Sequence, residues 1–173
     1  MKFVHIADMH FDSPFVNLSD RDSMGELRRL EQRKVLKKIV EYIKDNDMEY
    51  FFISGDLYEH KYIKQSTIEY LNKLFQEIPN TKIYIAPGNH DPYLKNSYYA
   101  KFAWNENVKI FSDKIEKIEN EDVNIYGYGF TDFYCEDSGI ENIEIENNNK
   151  LNILVIHGAL DSSNVEDREY NPM

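Results

Sequence analysis

Apolar runs and helical periodicity alternate in the first half of the chain. KFVHIA (2–7), YFFIS (50–54) and TKIYIA (81–86) are short apolar runs typical of buried strands. Between them, apolar residues recur at helical spacing over residues 24 to 46, and again from about Ser66. This β-α-β-α-β order predicts parallel strands whose faces are covered by helices.

The second half has a different pattern. A short helical segment (97–104) is followed by brief strand-like runs: VKIF (108–111), KIEKIE (114–119), VNIYGYGF (123–130), IENIEIE (140–146) and LNILVIH (151–157). We expect these runs to be further strands, some of them antiparallel and forming a second layer. Because no long linker interrupts the chain, we expect residues 1–173 to form one domain.

Polar residues follow the apolar strands at the points where the strands end. Asp8 and His10 follow the first strand, and Asp56 follows the second. Asn89 follows the third strand, and His157 follows the last apolar run. In an open α/β sheet, ligands bind in the crevice beyond the carboxyl ends of the strands. If these strands are neighbours, the five side chains converge on one site.

These residue types favour a metal site. Carboxylates, imidazoles and an amide oxygen suit Mn²⁺, Fe or Zn²⁺ better than Ca²⁺. Asp56 could bridge two ions, with Asp8 and His10 on one ion and with Asn89 and His157 on the other. Two such ions would activate a water molecule and hold a phosphate in line with it.

The residues around Asn89 have separate predicted roles. His90 could face the substrate and protonate the leaving oxygen. Asp91 is better suited to holding the turn or positioning His90 than to binding metal. Taken singly, Asp8, Asp56 and Asn89 could each be ordinary turn or cap residues. Their occurrence together with two histidines favours the metal site.

The motifs carry a family resemblance. In chain order they are Asp8-x-His10, Gly55-Asp56, Gly88-Asn89-His90-Asp91 and His157-Gly158. As a set they resemble the calcineurin-like metallophosphoesterase superfamily. The flanking segments IADMHFDSPF, SGDLYE, PGNHDPY and VKIFSD are similar to the SbcD-type bacterial DNA repair exonucleases. The continuation Leu57-Tyr58-Glu59 differs from the protein phosphatases of the same superfamily.

The resemblance implies a fold, an activity and partners. The fold would be a four-layer α/β/β/α sandwich, here with an incomplete second sheet. The activity would be Mn²⁺-dependent hydrolysis of DNA phosphodiester bonds. The partner would be a coiled-coil ATPase of the SMC type, and a homodimer is also possible. Two rivals stay open: a phosphoesterase acting on a small nucleotide or phosphomonoester, and a degenerate domain that no longer cuts.

One family motif is missing from this sequence. The family normally completes its site with a Gly-His-x-His motif, and none follows His157. The final residues, REYNPM (168–173), resemble the Y-x-P stretch that precedes this motif in relatives. We expect a truncated domain that binds metal weakly and has low activity. Supply of the histidines by another chain, and activity without them, are the alternatives.

Composition limits the possible settings. The single cysteine, Cys135, allows no intrachain disulfide, and no apolar run predicts a signal peptide or membrane span. We therefore expect a cytoplasmic protein without membrane contact. The net charge of −11 argues against a simple nucleic-acid-binding module. It does not exclude a nuclease, because bound metal ions locally reverse the field.

Three further features have two interpretations each. His60 follows the second motif, near the place where some relatives have a substrate-contacting histidine. In this chain, however, the residue nearest to that position is Glu59. A basic stretch on the first helix could meet DNA phosphates or be a solvated face. An aromatic cluster could stack on unpaired bases or pack in the core. Its members are Tyr93, Tyr98, Tyr99, Phe102 and Trp104.

Overall fold

Four parallel strands form the larger sheet. The computed structural model describes residues 1–15, 24–135, 140, 143–145 and 149–158. Within them, β1 (Phe3–Ile6), β2 (Tyr50–Ser54), β3 (Lys82–Ala86) and β4 (Val108–Ile110) pair in that order. Every neighbouring pair is parallel, so the carboxyl ends of all four strands lie at one edge of the sheet.

The connections between these strands are helical, as the periodicity predicts. They are α1 (Met24–Asp45), α2 (Gln65–Gln76) and the short α3 (Tyr98–Lys101). The apolar faces of α1 and α2 pack with inward-facing strand residues into one core. Leu36, Ile43 and Phe75 are fully buried there. Such burial supplies most of a helix's stability in a protein.

A smaller sheet packs on the other face of the parallel sheet. It contains β5 (Glu116–Glu119), β6 (Val123–Gly127) and β7 (Leu151–Val155). β5 and β6 are antiparallel, whereas β6 and β7 are parallel. A second core lies between the sheets, where Phe52 and Tyr84 stack face to face. These features confirm the mixed α/β fold with two facing sheets.

Two of the predicted strands in the second half have different outcomes. VKIF contains a strand as predicted, and this strand, β4, joins the parallel sheet by pairing with Ile83 and Ile85. IENIEIE was expected to be a strand, yet 143–145 have no regular structure and 140 lies in a 3₁₀ turn. Its other residues, and the REYNPM stretch, lie outside the described residues.

The aromatic cluster packs in the core, and part of the basic stretch forms ion pairs on a solvated helix face. Tyr99 is buried in the helix-side core, and the other four cluster members pack against that core. On α1, Arg28 pairs with Glu31 and Lys37 pairs with Glu41 on the exposed surface. No helix among the described ranges combines the length and apolar character needed to cross a bilayer.

Candidate metal centre

The loops after β1 and β2 run side by side at the carboxyl edge of the sheet. The backbone N–H of Asp8 donates to the Gly55 carbonyl (3.2 Å), and that of His10 donates to the Asp56 carbonyl (2.8 Å). Asp8, His10 and Asp56 all have positive φ angles, of 55°, 46° and 52°. Such left-handed conformations cost non-glycine residues about 1 kcal/mol or more and cluster at functional sites.

The Asp56 carboxylate lies at the centre of the converging side chains. Its Oδ2 atom is 3.6 Å from Nε2 of His10 and 3.5 Å from Nε2 of His157. The side chain is fully buried, and Oδ2 has no hydrogen-bond partner among the described residues. Its other oxygen, Oδ1, accepts the backbone N–H of His90 at 3.0 Å. An unsatisfied buried carboxylate oxygen between two imidazoles fits a metal ligand, because such oxygens are otherwise costly.

Backbone and side-chain acceptors orient both imidazoles. Nδ1 of His157 is 3.0 Å from the Ser54 carbonyl, which can only accept, so Nδ1 carries the proton. Nε2, which faces Asp56, then presents its lone pair. Nδ1 of His10 is 2.9 Å from Oε1 of Glu59, and its Nε2 lies near Asp8 (3.9 Å). Outer hydrogen bonds of this kind are typical of metal-binding histidines.

Asn89 and two glycines lie on the turns around the centre. Oδ1 of Asn89 is buried and has no hydrogen-bond partner among the described residues. A Cβ at Gly88 would lie 2.3 Å from Oδ1 of Asp56, and one at Gly55 would lie 2.3 Å from Cγ of His157. Only glycine therefore lets the Asn89 turn approach Asp56, and the Asp56 turn approach His157, this closely. Ligand atoms of Asp8, Asp56 and His157 lie within 4.8 Å of one another.

Glu59 is the main residue that the sequence interpretation missed. Its Oε1 contacts His10, and its Oε2 lies 3.1 Å from Nδ1 of His90. One carboxylate thus holds a predicted ligand and the predicted acid, whose rings are 4.8 Å apart. Its spacing of three residues from Asp56, on the same loop, is the signal that could have identified it. His10, Glu59 and His90 also form a second group with metal-ligating atoms within 4.8 Å.

The pKa values of this pair shift in opposite directions. The Glu59 hydrogen bond raises the pKa of His10, and it outweighs burial, which lowers it; the charge of Asp56 adds to the rise. Burial alone would raise the pKa of Glu59, but hydrogen bonds from His10 and His90 lower it overall. Both shifts stabilise a charged His10–Glu59 pair when no metal is bound.

Asp91 links the two turns that carry Asp56 and Asn89. Its fully buried carboxylate accepts backbone N–H groups at Gly88 (2.7 Å), Asp56 (3.0 Å) and Leu57 (2.7 Å). The Tyr99 hydroxyl donates to it as well, at 2.6 Å. Burial raises the pKa of Asp91 to about 6, against the opposing effect of these hydrogen bonds.

The structure therefore brings Asp8, His10, Asp56, His90 and His157 to one place, and Asn89 lies on the adjoining turn, between Gly88 and His90. The ligand roles of Asp8, His10, Asp56, Asn89 and His157, and the acid role of His90, stay predictions. His60 packs edge-on against Phe133, with ring centroids 5.9 Å apart.

Comparisons with known proteins bear on this centre. The family model described as calcineurin-like phosphoesterase matches residues 1–171. The metallophosphoesterase YhaO of Bacillus subtilis (strain 168), described as uncharacterized, is 22% identical over 96% of this chain and 43% of its own length. The SbcD component of the SbcCD nuclease of Staphylococcus epidermidis (strain ATCC 12228 / FDA PCI 1200) is 27% identical over 98% of this chain and 49% of its own length. The chain spans less than half the length of either relative.

Proposed function

Because this chain belongs to the calcineurin-like phosphoesterase family, we propose that it hydrolyses phosphodiester bonds of DNA with two bound divalent metal ions. Mn²⁺ suits the mixed oxygen and nitrogen ligands, with Fe and Zn²⁺ as alternatives. The observation that carries the proposal is Oδ2 of Asp56, which is buried and unsatisfied between the Nε2 atoms of His10 and His157.

The chain's own residues would hold the ions. Asp56 would bridge them, with Asp8, His10, Asn89 and His157 as the remaining protein ligands. The ions would supply positive charge to polarise the phosphate and to make a water molecule acidic. The Ser54 carbonyl accepts at Nδ1 of His157, which leaves its Nε2 free to ligate, and Glu59 orients His10, whose Nε2 would lose its proton when metal binds.

His90 would act on the leaving group. Glu59 binds its Nδ1 atom, so the ring is fixed and Nε2 becomes the atom that delivers a proton to the leaving oxygen. The Asp56 carboxylate fixes the backbone at the same residue by accepting the His90 N–H. The acid and the bridging ligand would therefore keep a constant separation during the reaction.

The choice of DNA rests on sequence similarity. The SbcD-like flanking segments and the 27% identity to a component of a nuclease both support an exonuclease role in repair. The complete protein would act with a coiled-coil ATPase of the SMC type, and it could form a homodimer. A phosphoesterase acting on a small nucleotide is the second candidate, favoured by the net charge of −11, which repels long polyanions.

One comparison of substrates tests the proposal. Mn²⁺-dependent release of mononucleotides from linear DNA would be measured beside turnover of a cyclic dinucleotide and a phosphomonoester. We expect slow release from DNA by this chain, because the final histidine motif is absent, and loss of that release in Asp56→Asn. Turnover of the small substrates alone would support the second candidate. No turnover of any of the three would indicate an inactive domain.

A further inference from the structure

The segment that follows β6, residues 128–135, forms one wall of the candidate metal centre. Phe130 donates its backbone N–H to the Pro87 carbonyl (3.0 Å), and its own carbonyl accepts the N–H of Tyr93 (2.7 Å). Pro87 and Tyr93 stand on either side of the turn that carries Asn89. The wall is therefore hydrogen-bonded to both ends of that turn. These bonds fix the position of the wall relative to the metal centre.

Two aromatic rings of this wall contact histidines at the centre. The Phe130 ring lies 6.0 Å from the ring of His157, and the Phe133 ring lies 5.9 Å from that of His60. His60 in turn donates its backbone N–H to the His90 carbonyl at 2.9 Å. Phe133 is thus only one side chain away from the backbone of the predicted acid.

The end of the wall leaves large aromatic surface in solvent. Phe133 is 43% exposed and Tyr134 is 70% exposed. We call His60, Phe133 and Tyr134 the aromatic rim. Exposed aromatic surface beside a candidate metal site is a candidate place for a ligand to bind. The cluster that the sequence suggested for base stacking, around Trp104, packs against the core instead.

We propose that the aromatic rim stacks on a base of the substrate, at a nucleotide adjacent to the scissile phosphate. The inference rests on the proposed function and adds a nucleotide-selecting surface to it. Stacking on aromatic side chains tolerates any base, because every base has a π-face. It would therefore allow cleavage without a sequence preference, as removal of successive nucleotides requires.

The charge of the protein favours an uncharged contact of this kind. Nucleic-acid-binding proteins usually gain affinity by neutralising phosphates with Lys and Arg. A chain with a net charge of −11 has little of this attraction. The bound metal ions can hold one phosphate, and the stacked base would supply the further affinity that separates a nucleotide from a bare phosphate.

Steady-state kinetics on two matched single-stranded oligonucleotides test whether the aromatic rim stacks on a base. The substrates are two short single strands, one with a normal terminal nucleotide and one with an abasic terminal nucleotide. The variants are Phe133→Ala and Tyr134→Ala. The control is Tyr42→Ala, which removes a tyrosine that is 54% exposed on α1. Titration with Mn²⁺ shows whether each variant keeps the metal affinity of the unmodified chain.

We expect the rim variants to lose substrate affinity only when the terminal base is present. The rim variants should raise KM for the normal strand about tenfold, with little change in kcat, because stacking on one aromatic side chain contributes roughly this much. The abasic strand should bind the unmodified chain weakly, and the rim variants should weaken it no further. Tyr42→Ala should match the unmodified chain on both strands.

Other results separate the rim from the proposed function. Equal KM values for the two strands, or equal effects of the rim variants on both, would overturn the proposal that the rim stacks on a base. The proposed nuclease activity would stand. Cleavage of neither strand by the unmodified chain would overturn the proposed function, and the rim with it.

Discussion

Glu59 binds two histidines with one carboxylate: its Oε1 lies 2.9 Å from Nδ1 of His10, and its Oε2 lies 3.1 Å from Nδ1 of His90. Both histidines must donate, because a carboxylate only accepts. Each ring therefore presents Nε2 to the centre. The same side chain would control a metal ligand and the acid, so changes at Glu59 should affect both metal binding and turnover.

The variant Glu59→Gln should weaken metal binding. An amide has one accepting oxygen, so its NH₂ group would force one histidine to accept at Nδ1 and to carry its proton on Nε2. If that histidine is His10, it can no longer ligate. We expect Mn²⁺ affinity to fall about 10- to 100-fold, as for other outer-shell changes, measured by calorimetric titration. Glu41→Gln, at an exposed α1 pair, is the control. Unchanged affinity would show that Glu59 does not orient a ligand.

The metal-free protein should lose stability as pH rises above about 6.5. The pKa of His10 is raised above 6.5 by Glu59, so the folded state holds this proton more tightly than the unfolded state. The resulting stabilisation is fully present below pH 6.5 and disappears as pH rises through the folded-state pKa. Urea unfolding in EDTA at several pH values measures it. The free energy of unfolding should change less steeply with pH in Glu59→Gln than in the unmodified chain. An identical pH dependence would contradict the assignment of this stabilisation to the His10–Glu59 pair.

Asp91 should contribute strongly to folding. Its buried carboxylate accepts backbone N–H groups from both ligand-bearing turns and the Tyr99 hydroxyl. Asp91→Ala would leave several buried donors unsatisfied, and we expect a loss of about 3 kcal/mol or more in the free energy of unfolding. Asp113→Asn, at an exposed position, is the control. Chemical denaturation measures both variants, and a loss below about 1 kcal/mol would show that the turns hold without this carboxylate.

Gly88→Ala should damage the centre more than the fold. The added methyl group would meet Oδ1 of Asp56 at 2.3 Å, so the carboxylate or the turn must move. We expect Mn²⁺ affinity to fall at least about tenfold, since even outer-shell changes cost this much. Gly25→Ala is a matched control, because its nearest new contacts are at 3.6 Å or more and it lies in a helix. Equal metal affinities in the two variants would contradict the close approach.

Most helices and strands, and the convergence of the site residues, could be predicted from the sequence because the signals for them are local. Helical periodicity and strand-end polarity are local, and parallel pairing brings local features to one edge. β4 could not be assigned to its sheet, because its three residues carry no signal for their partner strand. Glu59 was missed because its role depends on His10 and His90, which are 49 and 31 residues away.

The role of Asp56 as a bridging metal ligand is tested most directly by calorimetric titration of Mn²⁺ into the unmodified chain and into Asp56→Asn. Asparagine keeps the shape of the side chain but loses the charge and the second accepting oxygen. We predict two weakly bound Mn²⁺ ions per unmodified chain, and a further loss of affinity of more than about a hundredfold in the variant, above the range for outer-shell changes. Equal stoichiometry and affinity in the two proteins would show that Asp56 does not bridge metal ions.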